Sequence, residues 1–522
     1  MKVIVIGDVS WKQSYHLGDE AMTEVAIAEL RSRGAEVTLI AGDPELSSEF
    51  YGVDTVPQFG FRTLSRRTAW EARLDEITRA LAGAVDVPAY AASTLRAVQS
   101  ADAVVIAGGG NLNSEWGHHI FERLALTRAA AQAGIPLYVS SQTVGPELID
   151  EDRDRIAEIL EYARAFGARE PTTAALLREI GSDNTRIVHT LDDALLLTPA
   201  DLTQEERASL AATTPYAVGS FTFHPRTTGL HPEEYYRRVA EILDSLVSRC
   251  DLDVVLLPHM GSLGDGEVDA SVVGSDRYGH DRIVGYTKSG RVHSRPMLTA
   301  RKLLAITAGA RFTLSTRYHP VVFGPSVGVP AIGLVTSYYS AIRMRGALGN
   351  VGMEQFAIPF EAWQPVFGRR LLDALMEKRD ELASSAAQAG RAARAFQSRW
   401  WDGIVADITT AGSVRLDDLP PVEEVGWSGQ NERDLLALAR VAHEGTNLTR
   451  LNVAAAARLE RQRNTETAED QKRAWEEVGR IAEELADTRE ELARVRHRLR
   501  PPGANARDRL QLSLRRFFRR GE

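Results

Sequence analysis

Short apolar segments alternate with amphipathic segments over the first 200 residues. The apolar segments predict β-strands at residues 2–6, 36–41, 103–107, 136–140 and 186–189. Between them, apolar residues at helical spacing predict helices at residues 20–33, 117–133, 151–163 and 171–180. Repeated strand–helix units of this length are typical of a parallel sheet with helices on both faces. Residues 1–200 are therefore predicted to form one Rossmann-like domain.

The same α/β pattern restarts near Tyr216. It predicts a helix at residues 232–249 and strands at residues 217–221, 253–257, 312–315 and 331–335. We therefore expect a second Rossmann-like domain over residues 201–365, facing the first across a cleft at the carboxyl ends of both sheets. The helical run 366–411 has no strand partners and is expected to pack back on the core.

The C-terminal part of the chain has a different pattern. Proline and glycine in residues 412–430 predict a linker, and residues 431–500 are predicted to be helical. Apolar spacing that alternates between three and four indicates heptads over residues 478–499, at Val478, Ile481, Leu485, Thr488, Leu492, Val495 and Leu499. The heptads predict a coiled coil that joins copies of the chain, although a single amphipathic helix lying on the globular body is the alternative.

The last segment, residues 501–522, is a basic amphipathic tail. Its arginines surround four apolar residues at helical spacing, Leu510, Leu514, Phe517 and Phe518. This pattern suits an anionic membrane surface, so peripheral membrane contact through residues 507–520 is predicted. A frayed basic terminus is the alternative.

The net charge restricts the class of binding partner, and the cysteine content indicates the cellular compartment. The formal net charge of −9 argues against nucleic acid as a partner, because binding a phosphate backbone needs a basic face. The single cysteine, Cys250, allows no intrachain disulfide and favours a reducing compartment. The first apolar segment is too short for a signal peptide, and no apolar stretch is long enough to cross a bilayer. We expect a cytoplasmic protein, held at the inner membrane face if the tail binds lipid.

Three groups of candidate site residues follow strands or precede helices in the first domain. Gly18 and Asp19 precede the first predicted helix, where Asp19 either caps the helix or binds hydroxyl groups. The run from Gly108 to Asn111 follows a strand, and its glycines allow backbone amides to face an anion beside the next helix, although a packing turn is the alternative. Gln142 and Arg169 lie at later strand ends. Arg169 suits a carboxylate or phosphate, with a surface ion pair as the alternative.

The second domain carries the most specific cluster. Arg317 and His319 follow the predicted strand 312–315 and are separated by one residue. Histidine is the side chain whose ordinary pKa suits proton transfer near neutral pH, and Arg317 supplies a permanent positive charge beside it. A structural role for His319 is the alternative.

In order and spacing these motifs resemble those of the polysaccharide pyruvyl transferases. The resemblance covers about residues 1–360 and rests on Gly18-Asp19, Gly108-Gly109-Gly110-Asn111-Leu112, Gln142-Thr143-Val144-Gly145-Pro146, Ala168-Arg169-Glu170, Arg317-Tyr318-His319 and Gly328-Val329-Pro330. It implies two facing Rossmann-like domains, similar to the glycosyltransferase-B arrangement. It also implies transfer of the pyruvyl group of phosphoenolpyruvate onto two hydroxyls of a sugar, giving a pyruvate ketal in a cell-surface polysaccharide, without a metal or a separate cofactor.

The resemblance, combined with the chemistry of the side chains, assigns roles in that reaction. His319 is expected to be the general acid or a proton shuttle, with Arg317 beside it. Donor-binding residues are expected to be Arg169, Gly109, Gly110, Asn111 and Ser337, and acceptor-binding residues Asp19, Gln142 and His259. The chain departs from the family pattern at Pro320, directly after His319, and at Ser337-Tyr338-Tyr339, where Arg343 and Arg345 are the nearby cations.

Two other functions fit the same fold. One is a nucleotide-sugar glycosyltransferase, for which we see no clear acidic residue to hold a ribose. The other is a non-catalytic scaffold of a polysaccharide assembly complex, organised by the coiled coil and the basic tail. The Arg317 and His319 pair argues against a pure scaffold, which has no need of an imidazole in a cleft.

Overall fold

The fold is described from a computed structural model. It covers residues 1–10, 14–181, 186–199, 203, 214–224, 228–263, 275–410, 417–422 and 430–498. The chain divides into two compact units, Met1–Asn452 and Val453–Glu522. The first unit contains two parallel β-sheets, and the described part of the second is helical.

The first sheet has eight strands that all run parallel. Along the sheet the order is β4, β3, β1, β5, β7, β8 and β9, and β6 pairs with the end of β7. The strands are β1 (Lys2–Ile6), β3 (Glu36–Ala41), β4 (Asp54–Pro57), β5 (Ala103–Ile106), β6 (Gly109–Leu112), β7 (Leu137–Val144), β8 (Ala165–Ala168) and β9 (Ile187–His189). The helices are Leu17–Ser32, Pro44–Tyr51, Arg67–Leu81, Ala89–Gln99, Gly117–Ala133, Asp150–Tyr162 and Pro171–Ile180.

The second sheet has six parallel strands in the order β13, β11, β10, β14, β15 and β16. The strands are β10 (Tyr216–Ser220), β11 (Asp253–Leu256), β13 (Val292–Ser294), β14 (Thr313–Ser315), β15 (Ala331–Val335) and β16 (Ala357–Pro359). The helices are Pro232–Cys250, Asp276–Tyr286, Ala300–Ala308, Pro320–Ser326, Tyr338–Gly349 and Pro365–Glu377. The strand–helix pattern of the sequence is thus confirmed in both halves, and the edge strands β13 and β16 were not predicted.

A short antiparallel ribbon connects the halves beside the cleft. It pairs β2 (Tyr15–His16) with β12 (Met260–Gly261), and the amide of Leu17 donates to the carbonyl of His259 at 3.0 Å. The ribbon leads directly into the helix Leu17–Ser32, so the start of that helix is held against the second sheet.

The helix Arg379–Thr410 packs on both halves, as the sequence predicted. Its Gln397 amide donates to Ser141 Oγ at 2.9 Å in the first half, and the buried Trp401 indole donates to Asp193 at 3.0 Å. At Gly390 the same helix lies so close to the Pro325 carbonyl that an added Cβ would be 2.7 Å from it. This long helix therefore fixes the two halves relative to each other.

The helix Gln430–Arg498 begins on the second half, where Leu436 is buried and the Arg440 guanidinium donates to the Ala357 carbonyl at 3.2 Å. Further along, Val478 and Ile481 are 54% and 46% exposed. Thr488 is also exposed, and its hydroxyl donates to the Glu484 carbonyl at 2.7 Å. The side chains of Leu485, Leu492 and Val495, and the whole of Leu499, lie outside the described residues, so the coiled coil stays a prediction. The tail 501–522 and most of the linker 412–430 also lie outside them. Among the described helices, none has the length and apolar character to cross a membrane.

Candidate active site

His319 lies between the two halves, just after β14. Its ring packs directly on Gly18, at the start of the helix Leu17–Ser32: a Cβ added to Gly18 would be 1.7 Å from His319 Cε1. The side chain is 12% exposed, and its Nε2 lies 3.8 Å from Asp192 Oδ2. This Nε2 has no hydrogen-bond partner within the described residues. The imidazole is therefore largely buried, contacted by both halves, and left with an unsatisfied Nε2 among the described residues.

The surroundings of His319 favour its neutral form. Burial lowers its pKa well below the ordinary value, and the positive charges of Arg169, Arg343 and Arg317 act in the same direction, together with His259. A bound anion would oppose these charges and raise the pKa. The protonation of His319 is thus coupled to ligand binding.

We expect Gly18→Ala to reduce activity through His319. Alanine suits a helix better than glycine, so folding is not threatened, but the new methyl group would have to displace the imidazole. A displacement of about 1 Å at a catalytic group costs about 100-fold in turnover. Gly285→Ala is the matched control, because an added Cβ there meets nothing within 4 Å. Unchanged turnover of Gly18→Ala would contradict the position of His319.

Arg343 supplies a positive charge that no carboxylate of the described residues neutralises. Its guanidinium stacks 3.8 Å from the ring centroid of Tyr339 and 5.2 Å from that of Tyr318. A Cβ added to Gly110 would be 3.2 Å from Arg343 Nη1, so this cation faces the glycine segment of the first half. In the described parts of the chain, no carboxylate oxygen lies within ion-pair distance of it. From the sequence, Arg343 is identified only as a cation near Ser337-Tyr338-Tyr339.

Arg169 is instead held in a buried ion network. It is 1% exposed, and its guanidinium donates to Asp192 at 2.8 Å, to Thr143 at 2.7 Å and to Glu170 at 3.2 Å. Its Nη2 would lie 3.0 Å from a Cβ on Gly110, so one edge also faces the glycine segment. The alternative, a surface ion pair with Glu170 or Glu179, is confirmed in its partner Glu170 but wrong in its location, because the pair is buried.

Arg317 is oriented by a buried carboxylate. Its Nε and Nη2 donate to Asp276 at 3.1 and 2.5 Å, and Asp276 Oδ2 also accepts the backbone amide of His259 at 2.9 Å. His259 Nδ1 lies 2.8 Å from Ser220 Oγ, while its Nε2 has no partner among the described residues. Burial lowers the pKa of His259 to about 4, so this imidazole is neutral. Arg317 and His259 thus form one rigid unit beside His319.

The glycine segment differs from the prediction. Gly109–Leu112 forms the short strand β6 beside β7, and the next long helix begins only at Gly117. The expectation that a helix directly after the glycines adds its positive end is therefore wrong. Because Gly109 and Gly110 have no side chains, neighbouring polar groups can approach their backbone closely. A Cβ on Gly109 would be 3.0 Å from Gln142 Nε2 and 3.5 Å from Asn111 Oδ1.

Gln142 and Asn111 present hydrogen-bond acceptors near these glycines. The Gln142 amide nitrogen donates to the Ala107 carbonyl at 2.5 Å. Its Oε1 and Asn111 Oδ1 are buried and have no hydrogen-bond partner in the described part of the chain. Buried oxygens of this kind cost free energy unless a ligand or water satisfies them. They are suited to bind hydroxyl groups.

Asp19 and Ser337 take positions that differ from the prediction. Asp19 lies inside the first turn of the helix Leu17–Ser32, whose cap is His16, so the capping interpretation is wrong. The Ser337 hydroxyl caps the helix Tyr338–Gly349 by accepting the Ser340 amide at 3.1 Å. That helix carries Tyr339, whose hydroxyl donates to the Gly110 carbonyl. Ser337 therefore orients the helix that presents Arg343 to the first half.

A comparison with models of protein families identifies the family to which the chain belongs. The model of the polysaccharide pyruvyl transferase family matches residues 16–338. The chain belongs to the polysaccharide pyruvyl transferase family. The matched region contains both halves of the site, from His16 to Tyr338, and ends five residues before Arg343. A comparison with curated protein sequences finds no match.

Solved structures show where the fold of this pyruvyl transferase family member recurs. A candidate UDP-N-acetylglucosamine 2-epimerase from Listeria monocytogenes is 14% identical, with 80% of this chain and 99% of that chain covered and a TM-score of 0.51. The MnaA–UDP structure from S. aureus is 11% identical, with 81% and 100% covered and a TM-score of 0.51. At these identities the likeness shows the fold alone, the two facing Rossmann-like domains expected from the sequence.

Proposed function

We propose that this pyruvyl transferase family member uses phosphoenolpyruvate as donor and forms a pyruvate ketal on a glycan. The observation that carries the proposal is the charge at the cleft. Arg343, without a carboxylate partner in the described residues, faces Gly110 beside the buried His319 and the edge of Arg169. The rings of Tyr339 and Tyr318 pack against this guanidinium. Such a site suits a small ligand with several negative charges, and phosphoenolpyruvate carries both a carboxylate and a phosphate.

In this proposal, different residues of the two halves bind the donor and the acceptor. Arg343 binds one anionic group of the donor directly, and Arg169 supplies a second positive edge whose position the buried carboxylates fix. Arg317, oriented by Asp276, adds a third positive charge that acts on His319. Gln142, Asn111 and His259 offer buried polar atoms without partners in the described residues, which suit the acceptor hydroxyls.

The chemistry needs a proton at the methylene carbon of the donor. Its addition makes the neighbouring carbon electrophilic, one sugar hydroxyl attacks there, phosphate leaves, and a second hydroxyl closes the ketal ring. The two hydroxyl protons lost by the sugar equal the one gained by carbon and the one gained by phosphate. His319 is suited to move such a proton, because the charge of the bound donor offsets the cations that keep its pKa low.

Acceptor-dependent phosphate release tests the proposal. Purified protein with phosphoenolpyruvate and a panel of hexose glycans is expected to release phosphate with at least one acceptor and none without. A nucleotide-sugar glycosyltransferase would instead be stabilised by UDP-sugars in a thermal shift assay and leave phosphoenolpyruvate intact. That pair of results would overturn the proposal.

We further propose that the heptads of residues 478–499 join two copies in parallel. The exposed Val478 and Ile481 begin the apolar stripe. In the sequence, Glu484 and Glu491 precede Arg489 and Arg496 by five residues, the spacing that pairs opposite charges between parallel helices and like charges between antiparallel ones.

Light scattering on the full chain checks this association. We expect Val478→Asp with Ile481→Asp to shift the mass from an oligomer to a monomer, because charges would enter the apolar seam. Glu476→Ala lies on the other side of the helix and should leave the mass unchanged. A monomeric wild type at micromolar concentration, or a double variant with unchanged mass, would contradict the association.

A further inference from the structure

Two carboxyl groups of the first half, Asp8 and Asp19, interact electrostatically but lie in opposite environments. Asp8 follows β1, and Asp19 lies in the first turn of the helix Leu17–Ser32, next to the glycine on which His319 packs. The Asp19 side chain is partly buried, with 23% of its surface exposed. His16, with Nδ1 4.0 Å from Asp19 Oδ2, lies between the ribbon and this helix.

Asp8 is held as a carboxylate. Arg62 Nη1 donates to its Oδ1 at 2.9 Å, and His119 Nε2 lies 3.5 Å from its Oδ2. Arg123 Nη1 lies 3.1 Å from His119 Nδ1. Because arginine can only donate, His119 Nδ1 must accept, and the ring hydrogen of a neutral His119 is then on Nε2, facing Asp8. Burial alone would raise the pKa of Asp8, but His119, Arg62 and Arg123 together lower it below the ordinary value.

Asp19 has no such support. In the described part of the chain, no arginine or lysine nitrogen lies within 4.0 Å of its carboxyl group. Burial and the negative charge of Asp8 raise its pKa to about 7. The charged or titratable groups that act on it or adjoin it are Asp8, His16, Glu20, Arg123, Arg169, His319 and Arg343. Two carboxyl groups whose environments separate their pKa values in this way are typical of acid–base pairs in enzymes.

We propose that Asp19 is a further catalytic residue, which donates the proton to the methylene carbon of the donor and then accepts the proton of the attacking acceptor hydroxyl. This inference rests on the proposed function. The π electrons of the donor form the new C–H bond, and a hydroxyl oxygen forms the bond to the neighbouring carbon. The bond from that carbon to the phosphate oxygen breaks with its electron pair. The oxygen of the second hydroxyl forms the other bond to that carbon and closes the ketal ring. His319 passes the proton of this hydroxyl to the departing phosphate, and each group ends as it began.

The two proton-transfer groups start in different protonation states. His319 is surrounded by cations and is neutral before the donor binds, so it is a poor acid at that stage. Asp19 already carries a proton near neutral pH, and the charge of the donor would keep it there. Asp8 adds to the effect of burial in raising the pKa of Asp19, so it acts on the proton transfer through Asp19 and is a positioning residue.

The pH dependence of kcat/KM for phosphoenolpyruvate tests this role, with a saturating acceptor identified from the glycan panel. In wild type we expect kcat/KM to fall above about pH 7, as Asp19 loses its proton. In Asp8→Asn the repulsive charge is gone, and the descending limb should move about one pH unit lower. Asp19→Asn should lose about 100- to 10,000-fold in kcat while phosphoenolpyruvate still raises its Tm.

Glu20→Gln is the matched control. Burial raises the pKa of Glu20 to about 7 as well, but its carboxylate binds the Ser10 amide at 2.9 Å and the Tyr51 hydroxyl instead of facing the cleft. In Glu20→Gln, kcat/KM should therefore begin to fall at the same pH as in wild type. An Asp19→Asn variant that turns over at the wild-type rate, or an unmoved limb in Asp8→Asn, would overturn the role of Asp19 alone. No acceptor-dependent phosphate release by wild type would overturn the proposed function, and this inference with it.

Discussion

Replacing His319 with alanine is expected to reduce ketal transfer about 100- to 10,000-fold in kcat, the usual contribution of a positioned proton-transfer group. The imidazole is buried between the halves, and no other described residue satisfies its Nε2. The variant should still fold, because the ring packs on a glycine and leaves only a small cavity at the cleft. Phosphate release at saturating donor and acceptor measures the effect.

His443→Ala is the matched control for His319. His443 is also buried, with Nδ1 3.1 Å from Glu361 Oε2, but it lies on the C-terminal helix. Its substitution should change Tm and leave kcat within about twofold of wild type. A His319→Ala variant that keeps more than about a tenth of wild-type kcat, with the same donor KM, would show that the imidazole moves no proton in the reaction.

Replacing Arg343 with glutamine is expected to raise the KM for phosphoenolpyruvate about 10- to 100-fold, with a smaller effect on kcat. A hydrogen bond to a charged group is worth about 1.5 to 3 kcal/mol, and the described part of the fold offers this cation no carboxylate in place of the donor. Glutamine keeps much of the side-chain length and removes the charge. Initial rates over a range of donor concentrations measure the change.

Arg345 on the same helix provides the control for Arg343. Its guanidinium is already paired with Glu354 at 2.6 Å and with Glu444 at 2.5 Å. Arg345→Gln should therefore lower Tm modestly and leave the donor KM near the wild-type value. If both variants raised KM equally, the effect would come from the position of the helix, and Arg343 would have no direct contact with the donor.

Much of the fold could be predicted because its strands are apolar and its helices amphipathic. The strands Lys2–Ile6 and Ala331–Val335 lie at the predicted residues. Strand β6 was missed because Gly109 and Gly110 have low strand propensity, and it forms only because β7 offers a partner. Strand β4, Asp54–Pro57, is partly polar and lies at a sheet edge, where burial leaves little pattern in the sequence.

The candidate site was predictable in part. His319, Arg317 and Arg169 follow strands, Gln142 lies near the end of β7, and Asp19 lies in the first turn of a helix. A parallel sheet brings such positions together at one edge. Charge balance could not be predicted, because it depends on contacts between distant segments. Arg169 pairs with Asp192 and Arg317 with Asp276, whereas Arg343 keeps its charge for a ligand. Asp8 was missed for the same reason, since Arg62 and His119 reach it only in the folded chain.

The most direct test of the proposed function follows the donor carbon into the product. Phosphoenolpyruvate labelled with ¹³C at the methylene carbon is incubated with the protein and an accepting glycan, and the products are analysed by NMR. We expect the label to appear as a methyl group on a ketal carbon attached to the sugar, together with one phosphate per ketal formed. Label that remains in phosphoenolpyruvate while a nucleotide sugar is consumed in a parallel reaction would contradict pyruvyl transfer.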